Sequence, residues 1–114
     1  MKEKLERSNF IKLTFHEDGF VVELDKGLRK IKWNEIEELV VYKEDLMTFD
    51  EIRMDIVYNG LQITITEDNP EWDFFVSKAK SVFPSIPAEW ESQIIQPPFA
   101  ENRRIIYERD KSIL

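Results

Sequence analysis

Six short strand-like segments run from Phe10 to Thr66, and a single helical pattern follows from Pro70 to Phe83. The first segment, Phe10–Phe15, sets Ile11, Leu13 and Phe15 on one face and Lys12 and Thr14 on the other. His16-Glu17-Asp18-Gly19 reads as a tight turn, with Asp-Gly supplying a left-handed position. Phe20–Leu24 and Leu28–Trp33 continue as strands, separated by the turn Asp25-Lys26-Gly27. Asn34 either caps one helical turn or belongs to a bend. Leu39-Val40-Val41-Tyr42 is a continuous apolar run, the pattern of a strand buried on both faces. A polar connection from Glu44 to Asp50 follows. Ile52, Met54, Ile56 and Tyr58 then alternate with Arg53, Asp55 and Val57. Asn59-Gly60 is a type I′ hairpin signal, and Leu61–Thr66 returns as the sixth strand.

The period then changes. Trp72, Phe75, Val76, Ala79, Val82 and Phe83 recur at helical spacing and form one apolar stripe. Asp68 or Asn69 offers a cap, Pro70 suits a first helical position, and Glu71 and Asp73 suit the positive helix end. Pro84 stops the pattern. Ala88–Ile95 carries the marks of a short second helix with Trp90 and Ile94, and Pro97-Pro98 ends it. Arg103–Tyr107 fits a last strand or an extended tail. This divides the chain into a charged lead-in over residues 1–9, one domain over 10–109 and a tail over 110–114.

Composition bounds the function. The 114 residues are 42% hydrophobic, with eight Phe, three Trp and three Tyr. Each buried aromatic removes roughly 150–250 Å² from water, enough together to anchor one domain. There is no cysteine, which excludes disulfides and thiolate metal sites and suits a reducing cytosol. No apolar run reaches the ~20 residues of a membrane-spanning helix. The residues after Met1 lack the apolar core of a signal peptide. The net charge of −7 repels nucleic acid and anionic lipid and attracts basic partners.

Candidate chemistry is sparse. His16, the single histidine, adjoins Glu17 and Asp18. Three consecutive turn residues diverge, so a solvated hairpin tip explains them better than a metal site or an acid–base pair. No nucleophile motif accompanies it. The three glycines all sit in turns, so no phosphate-cradling loop exists. The basic run Lys26, Arg29, Lys30 and Lys32 reads as the solvent face of a strand that blunts an edge. Carboxylates are numerous, but Glu67 to Asp73 lacks the calcium-loop spacing and its central glycine. Trp33 and Trp72 lie on core faces. Trp90, near Pro97-Pro98-Phe99, is predicted to be half-exposed. The residues proposed for protein contact are therefore Glu44, Asp45, Glu67, Asp68 and Trp90.

Ile31-Lys32-Trp33-Asn34-Glu35-Ile36-Glu37-Glu38-Leu39 looks like the I-x-W-x-x-I entry to the fourth strand in bacterial members of the pleckstrin-homology-like (PH-like) superfold. Strands followed by a closing helix resemble that superfold as a whole. The chain is also similar to a group of small uncharacterised bacterial proteins with this PH-like pattern. The similar pieces are Tyr42-Lys43-Glu44-Asp45-Leu46, Ile65-Thr66-Glu67-Asp68, Trp72-Asp73-Phe74-Phe75, Phe83-Pro84-Ser85-Ile86, Trp90, Pro97-Pro98-Phe99-Ala100 and Ile106-Tyr107-Glu108-Arg109. The resemblance spans residues 10–109 and implies a fold rather than an activity. It departs from the superfold in two ways. The first hairpin, basic in lipid-binding members, is acidic here, which argues against phosphoinositide binding. Residues 84–114 also extend beyond the usual closing helix.

The expected fold is thus α+β: a bent antiparallel sheet or partly open PH-like barrel of six to seven strands. One amphipathic helix closes it, and a short second helix and C-terminal tail follow. Ile63, Ile65, Trp72, Phe75, Val76 and Ala79 should be buried together. The expected function is a non-catalytic protein-binding module of the bacterial cytosol that takes a basic protein and needs no cofactor. The alternatives are an immunity-type protein that neutralises a basic toxin, and a carboxylate- or metal-dependent enzyme. A homodimer through an exposed edge strand stays open, with the edge undetermined.

Overall fold

The hairpin at Asn59-Gly60 is where sequence and structure agree most closely. In the computed structural model, which describes residues 11–24, 27–45, 50–95 and 102–109, Asn59 takes φ +47° and Gly60 φ +75°. These are the positive angles a type I′ turn requires. The turn joins β5 (Asp50–Tyr58) to β6 (Leu61–Thr66). Strands β4 (Ile36–Asp45) and β7 (Asn102–Glu108) complete this sheet, in the order β6-β5-β4-β7. A second sheet has the order β1-β2-β3, built from Lys12–Phe15, Gly19–Leu24 and Gly27–Lys32. Every pairing is antiparallel.

The protein is therefore α+β, as expected, with its seven described strands in two antiparallel sheets rather than one continuous sheet or a closed barrel. The break falls at Trp33–Glu35, which forms one turn of 3-10 helix. The Lys32 amide donates to Glu35 Oε1 at 3.0 Å, and the Trp33 amide donates to the Asp18 carbonyl at 3.0 Å. The chain is bent away before β4 begins, so β4 pairs with β5 and β7 instead of β3. Asn34 lies inside this turn rather than capping it.

The strand β4 runs for ten residues, well beyond the apolar run Leu39–Tyr42. Flanked on both sides, it buries Leu39, Val40 and Val41. The last segment is a strand rather than a loose tail, because its pairing with β4 satisfies backbone that would otherwise face an open edge.

Two helices follow β6: α1 (Trp72–Val82) and α2 (Trp90–Ile94). Helix α1 begins two residues after Pro70. The Asn69 side chain explains this start. Its Oδ1 accepts from the Glu71 amide at 2.8 Å while its Nδ2 donates to the Ile11 carbonyl at 2.9 Å. Pro70 and Glu71 are thereby held in a turn ahead of the helix. The helix buries Trp72, Phe75, Val76 and Ala79 against a core that includes Ile63 and Ile65, as the periodicity predicts.

Gly19 differs from its expected role. It is not among the positive-φ residues. Its hydrogen is required because a Cβ there would sit 2.1 Å from the Ile31 carbonyl oxygen. The lead-in 1–9, Asp25-Lys26, Leu46, Met47 and Phe49 of the polar connection, Pro97-Pro98-Phe99 and the tail 110–114 lie outside the described residues.

Candidate functional site

Strand register gathers carboxylates at one end of the four-stranded sheet. Glu44 lies opposite Glu51, and Asp45 lies opposite Asp50. Thr66, the last residue of β6, faces Arg53, which carries Glu67 alongside Ile52. There the Glu67 amide donates to the Ile52 carbonyl at 3.0 Å. The Ile52 amide returns a bond to Glu67 Oε2 at 3.2 Å. Asp68 follows and accepts a hydrogen bond from the Thr66 hydroxyl. Residues far apart in sequence thus meet at one rim: Glu44, Glu51, Glu67 and Asp68, with Asp45 and Asp50 beside them in register.

Two cations are set among them. Arg53 Nη1 lies 2.8 Å from Glu44 Oε1, and Nη2 lies 3.0 Å from Glu51 Oε1. Its Nε also donates to Glu51 at 3.0 Å. Burial works to lower the affinity of this guanidinium for its proton. The hydrogen bond to Glu51 and the charges of Glu44 and Glu51 outweigh burial, and its pKa rises. Like charges face to face across a strand pair repel, and Arg53 offsets that repulsion between Glu44 and Glu51.

Lys43 is the second cation, with a side chain 0% exposed. It points inward because β4 alternates, with Leu39, Val41 and Lys43 sharing the buried face. Its Nζ lies 3.5 Å from Asp50 Oδ2 and donates to the Ile95 carbonyl at 3.0 Å. Asn102 Nδ2 reaches the Gln93 and Ile94 carbonyls at 3.2 and 3.3 Å. Together these side chains cap the exposed carbonyls at the end of α2, which is too short to be stable alone.

On the outward face of the same sheet, Asp55 is nearly buried. Its Oδ1 accepts from Thr64 Oγ1 at 2.7 Å and from Tyr42 OH at 3.2 Å. Burial raises the Tyr42 pKa, and the adjacent Asp55 charge and hydrogen bond raise it further. The Arg103 guanidinium lies 6.0 Å from the Tyr42 ring centroid. These groups are engaged with one another, and the arrangement stiffens the sheet surface. Among the described residues, no group of three or more His, Asp or Glu side chains has the geometry to hold a metal ion.

Of the predicted contact residues, Glu44, Glu67 and Asp68 are brought to one rim, with the backbone of Asp45 beside them. Trp90 is not. It is 1% exposed and packs edge-on to Trp72 at 6.4 Å. Its position at the start of α2 turns it inward with Ile94, so the prediction of a half-exposed ring is corrected. Trp33 is core, 5.0 Å from Phe20 and 5.5 Å from Phe75. His16, Glu17 and Asp18 are exposed at the hairpin tip. Arg29, Lys30 and Lys32 are exposed on β3, an outer strand.

Sequence reasoning missed Lys43, Glu51 and Arg53 as members of the rim. The alternation of β4, continued one residue past the apolar run, would have found Lys43. No helix among the described residues is long and apolar enough to cross a membrane. Comparison with protein-family models, with curated proteins and with solved structures gives no match.

Proposed function

We propose that this chain is a non-catalytic protein-binding module whose acidic sheet rim captures a basic protein. The observation that carries the reading is the convergence of five acidic residues, Glu44, Asp50, Glu51, Glu67 and Asp68, with Lys43 and Arg53 the cations set among them in the described residues. Glu67 and Asp68 are exposed, so the rim presents charge to solvent. Such a field steers a basic partner and speeds its capture, with a marked dependence on salt. The mutual engagement of Arg53, Glu44 and Glu51, and of Asp55, Tyr42 and Thr64, supports a structural and docking role over acid–base chemistry.

We read the antiparallel strands followed by a packed helix as a PH-like arrangement, opened between β3 and β4. A cysteine-free chain is consistent with a cytosolic setting. Neutralisation of a basic toxin is a special case of the same capture and would use the same rim.

The test is affinity capture of the tagged chain from its native lysate at low and high salt, with mass spectrometry of what is retained. A stoichiometric basic protein is expected at low salt and lost at high salt. It should also be lost from a Glu67→Lys/Asp68→Lys variant and retained by a Glu17→Lys/Asp18→Lys variant at the hairpin tip. Equal retention by both variants, or no basic protein at all, refutes the reading.

A further inference from the structure

The outermost strand of the four-stranded sheet, β7, has the sequence Asn102-Arg103-Arg104-Ile105-Ile106-Tyr107-Glu108. Among the described residues its outer edge pairs with no strand. Arg103, Arg104, Ile105 and Glu108 are exposed, and Ile105 keeps 52% of its surface in solvent. An exposed edge with an apolar residue at its centre is a template for another strand.

The strand also carries a bulge. Its register against β4 runs Leu39↔Tyr107 and then Val40↔Ile105, so Ile106 has no opposite residue. Ile106 is buried in the core. With Ile106 set aside, the remaining residues form a self-complementary series about Ile105. We propose that β7 pairs antiparallel with β7 of a second copy of this chain, joining two four-stranded sheets into one of eight strands.

In this register Ile105 meets the partner's Ile105, Arg104 faces the partner's Tyr107, and Arg103 faces the partner's Glu108. The faces agree throughout. Arg103 shares the outward face with Tyr42, and Glu108 shares it with Glu38, to which it is opposed in register. That last pairing sets one carboxylate directly against another within the protomer, an unfavourable arrangement. The guanidinium of the partner's Arg103 would relieve it. The two-fold axis repeats each Arg–Glu contact, as an isologous interface must.

The other outer strands fit a second copy less well. Self-pairing of β3 would crowd Arg29, Lys30 and Lys32 of two copies along one seam. The segments that precede β1 and follow β6 are tied together by the bond from Asn69 to the Ile11 carbonyl. The inference is independent of the basic partner proposed above.

The test is the mass of the purified full chain in solution by light scattering, with three sets of variants. The native chain should show twice the protomer mass. Arg103→Glu and Glu108→Arg should each give the protomer mass, and the two together should restore the doubled mass. Circular dichroism shows that each variant is folded. Because the chain has no cysteine, Ile105→Cys gives a second readout that does not depend on weakening the interface. Facing Cα atoms of an antiparallel pair lie about 4.5–5.5 Å apart, within disulfide reach. Oxidised Ile105→Cys should therefore run as a covalent dimer, and Leu28→Cys on exposed β3 should not. A native chain that stays at protomer mass at every concentration overturns the proposal. So does a dimer that Leu28→Cys cross-links and Ile105→Cys does not, or one indifferent to both charge reversals.

Discussion

Phe74 and Phe75 are adjacent on α1, yet the structure assigns them opposite weight. Phe75 is 0% exposed. Its ring centroid lies 5.4 Å from Phe20, 5.5 Å from Trp33 and 6.4 Å from Phe15. Truncation to alanine removes a fully buried ring from a core closed on every side, and such changes cost about 3–5 kcal/mol. Three ring contacts, each of about 0.5–1.5 kcal/mol beyond area burial, put Phe75→Ala at the upper part of that range. Phe74 is 53% exposed and makes one edge contact, with Phe15 at 4.6 Å. Phe74→Ala should cost about 1 kcal/mol. Urea unfolding followed by tryptophan fluorescence measures both. With an m of about 1.5 kcal/mol per M, a loss of about 4 kcal/mol lowers the midpoint by roughly 2.5–3 M, and a loss of about 1 kcal/mol by roughly 0.7 M. Equal shifts for the two variants would refute the packing of this helix face on the sheets.

Further outcomes follow from particular residues. Lys43→Met removes the ion pair with Asp50 and the bond to the Ile95 carbonyl at the end of α2 and should destabilise by about 1–3 kcal/mol; an unchanged thermal midpoint would contradict the clamp. Gly19→Ala drives a Cβ into the Ile31 carbonyl and should cost about 1–3 kcal/mol, whereas a neutral result in the same melt would mean that the β2–β3 approach is looser than described. Tyr42 and Tyr58 both ionise above their ordinary value, burial being the leading cause in each. A phenol that holds its proton more tightly when folded contributes stability that is complete below its unfolded pKa of about 10 and is lost as pH rises through the folded one. Stability should therefore fall above about pH 10, and Tyr42→Phe should flatten that fall. The Tyr58 hydroxyl is buried without a hydrogen-bond partner among the described residues, so Tyr58→Phe should be neutral or stabilising.

What could be read along the chain was local. The Asn59-Gly60 turn, the alternation of β5 and the stripe of α1 each depend on neighbours within a few residues, and each is found where the pattern puts it. The split into two sheets was not legible. It depends on whether β3 or β7 occupies the free edge of β4, a choice between a near and a distant segment that no local pattern encodes. Trp90 misled for a similar reason. Its proline-rich surroundings suggested a surface, while its burial comes from Trp72, eighteen positions earlier. The acidic rim lies between these cases. Glu44, Asp45, Glu67 and Asp68 were visible as carboxylates, but their meeting depends on register, and the balancing cations Lys43 and Arg53 looked like ordinary strand residues.

The pairing of β4 with β7 has a consequence for how the chain is made. Strand β4 is central in the finished sheet, but its neighbour on one side arrives some sixty residues later in synthesis. Until Asn102 to Glu108 emerge, the nascent domain carries the run Leu39-Val40-Val41 on an open edge, the surface from which intermolecular strand pairing begins. A ribosome stalled before Asn102, or a product cut there, would release a protein with its most apolar strand uncovered. Strand β7 therefore decides which edge this sheet offers to other chains: Leu39-Val40-Val41 before it forms, and its own Ile105 edge afterwards.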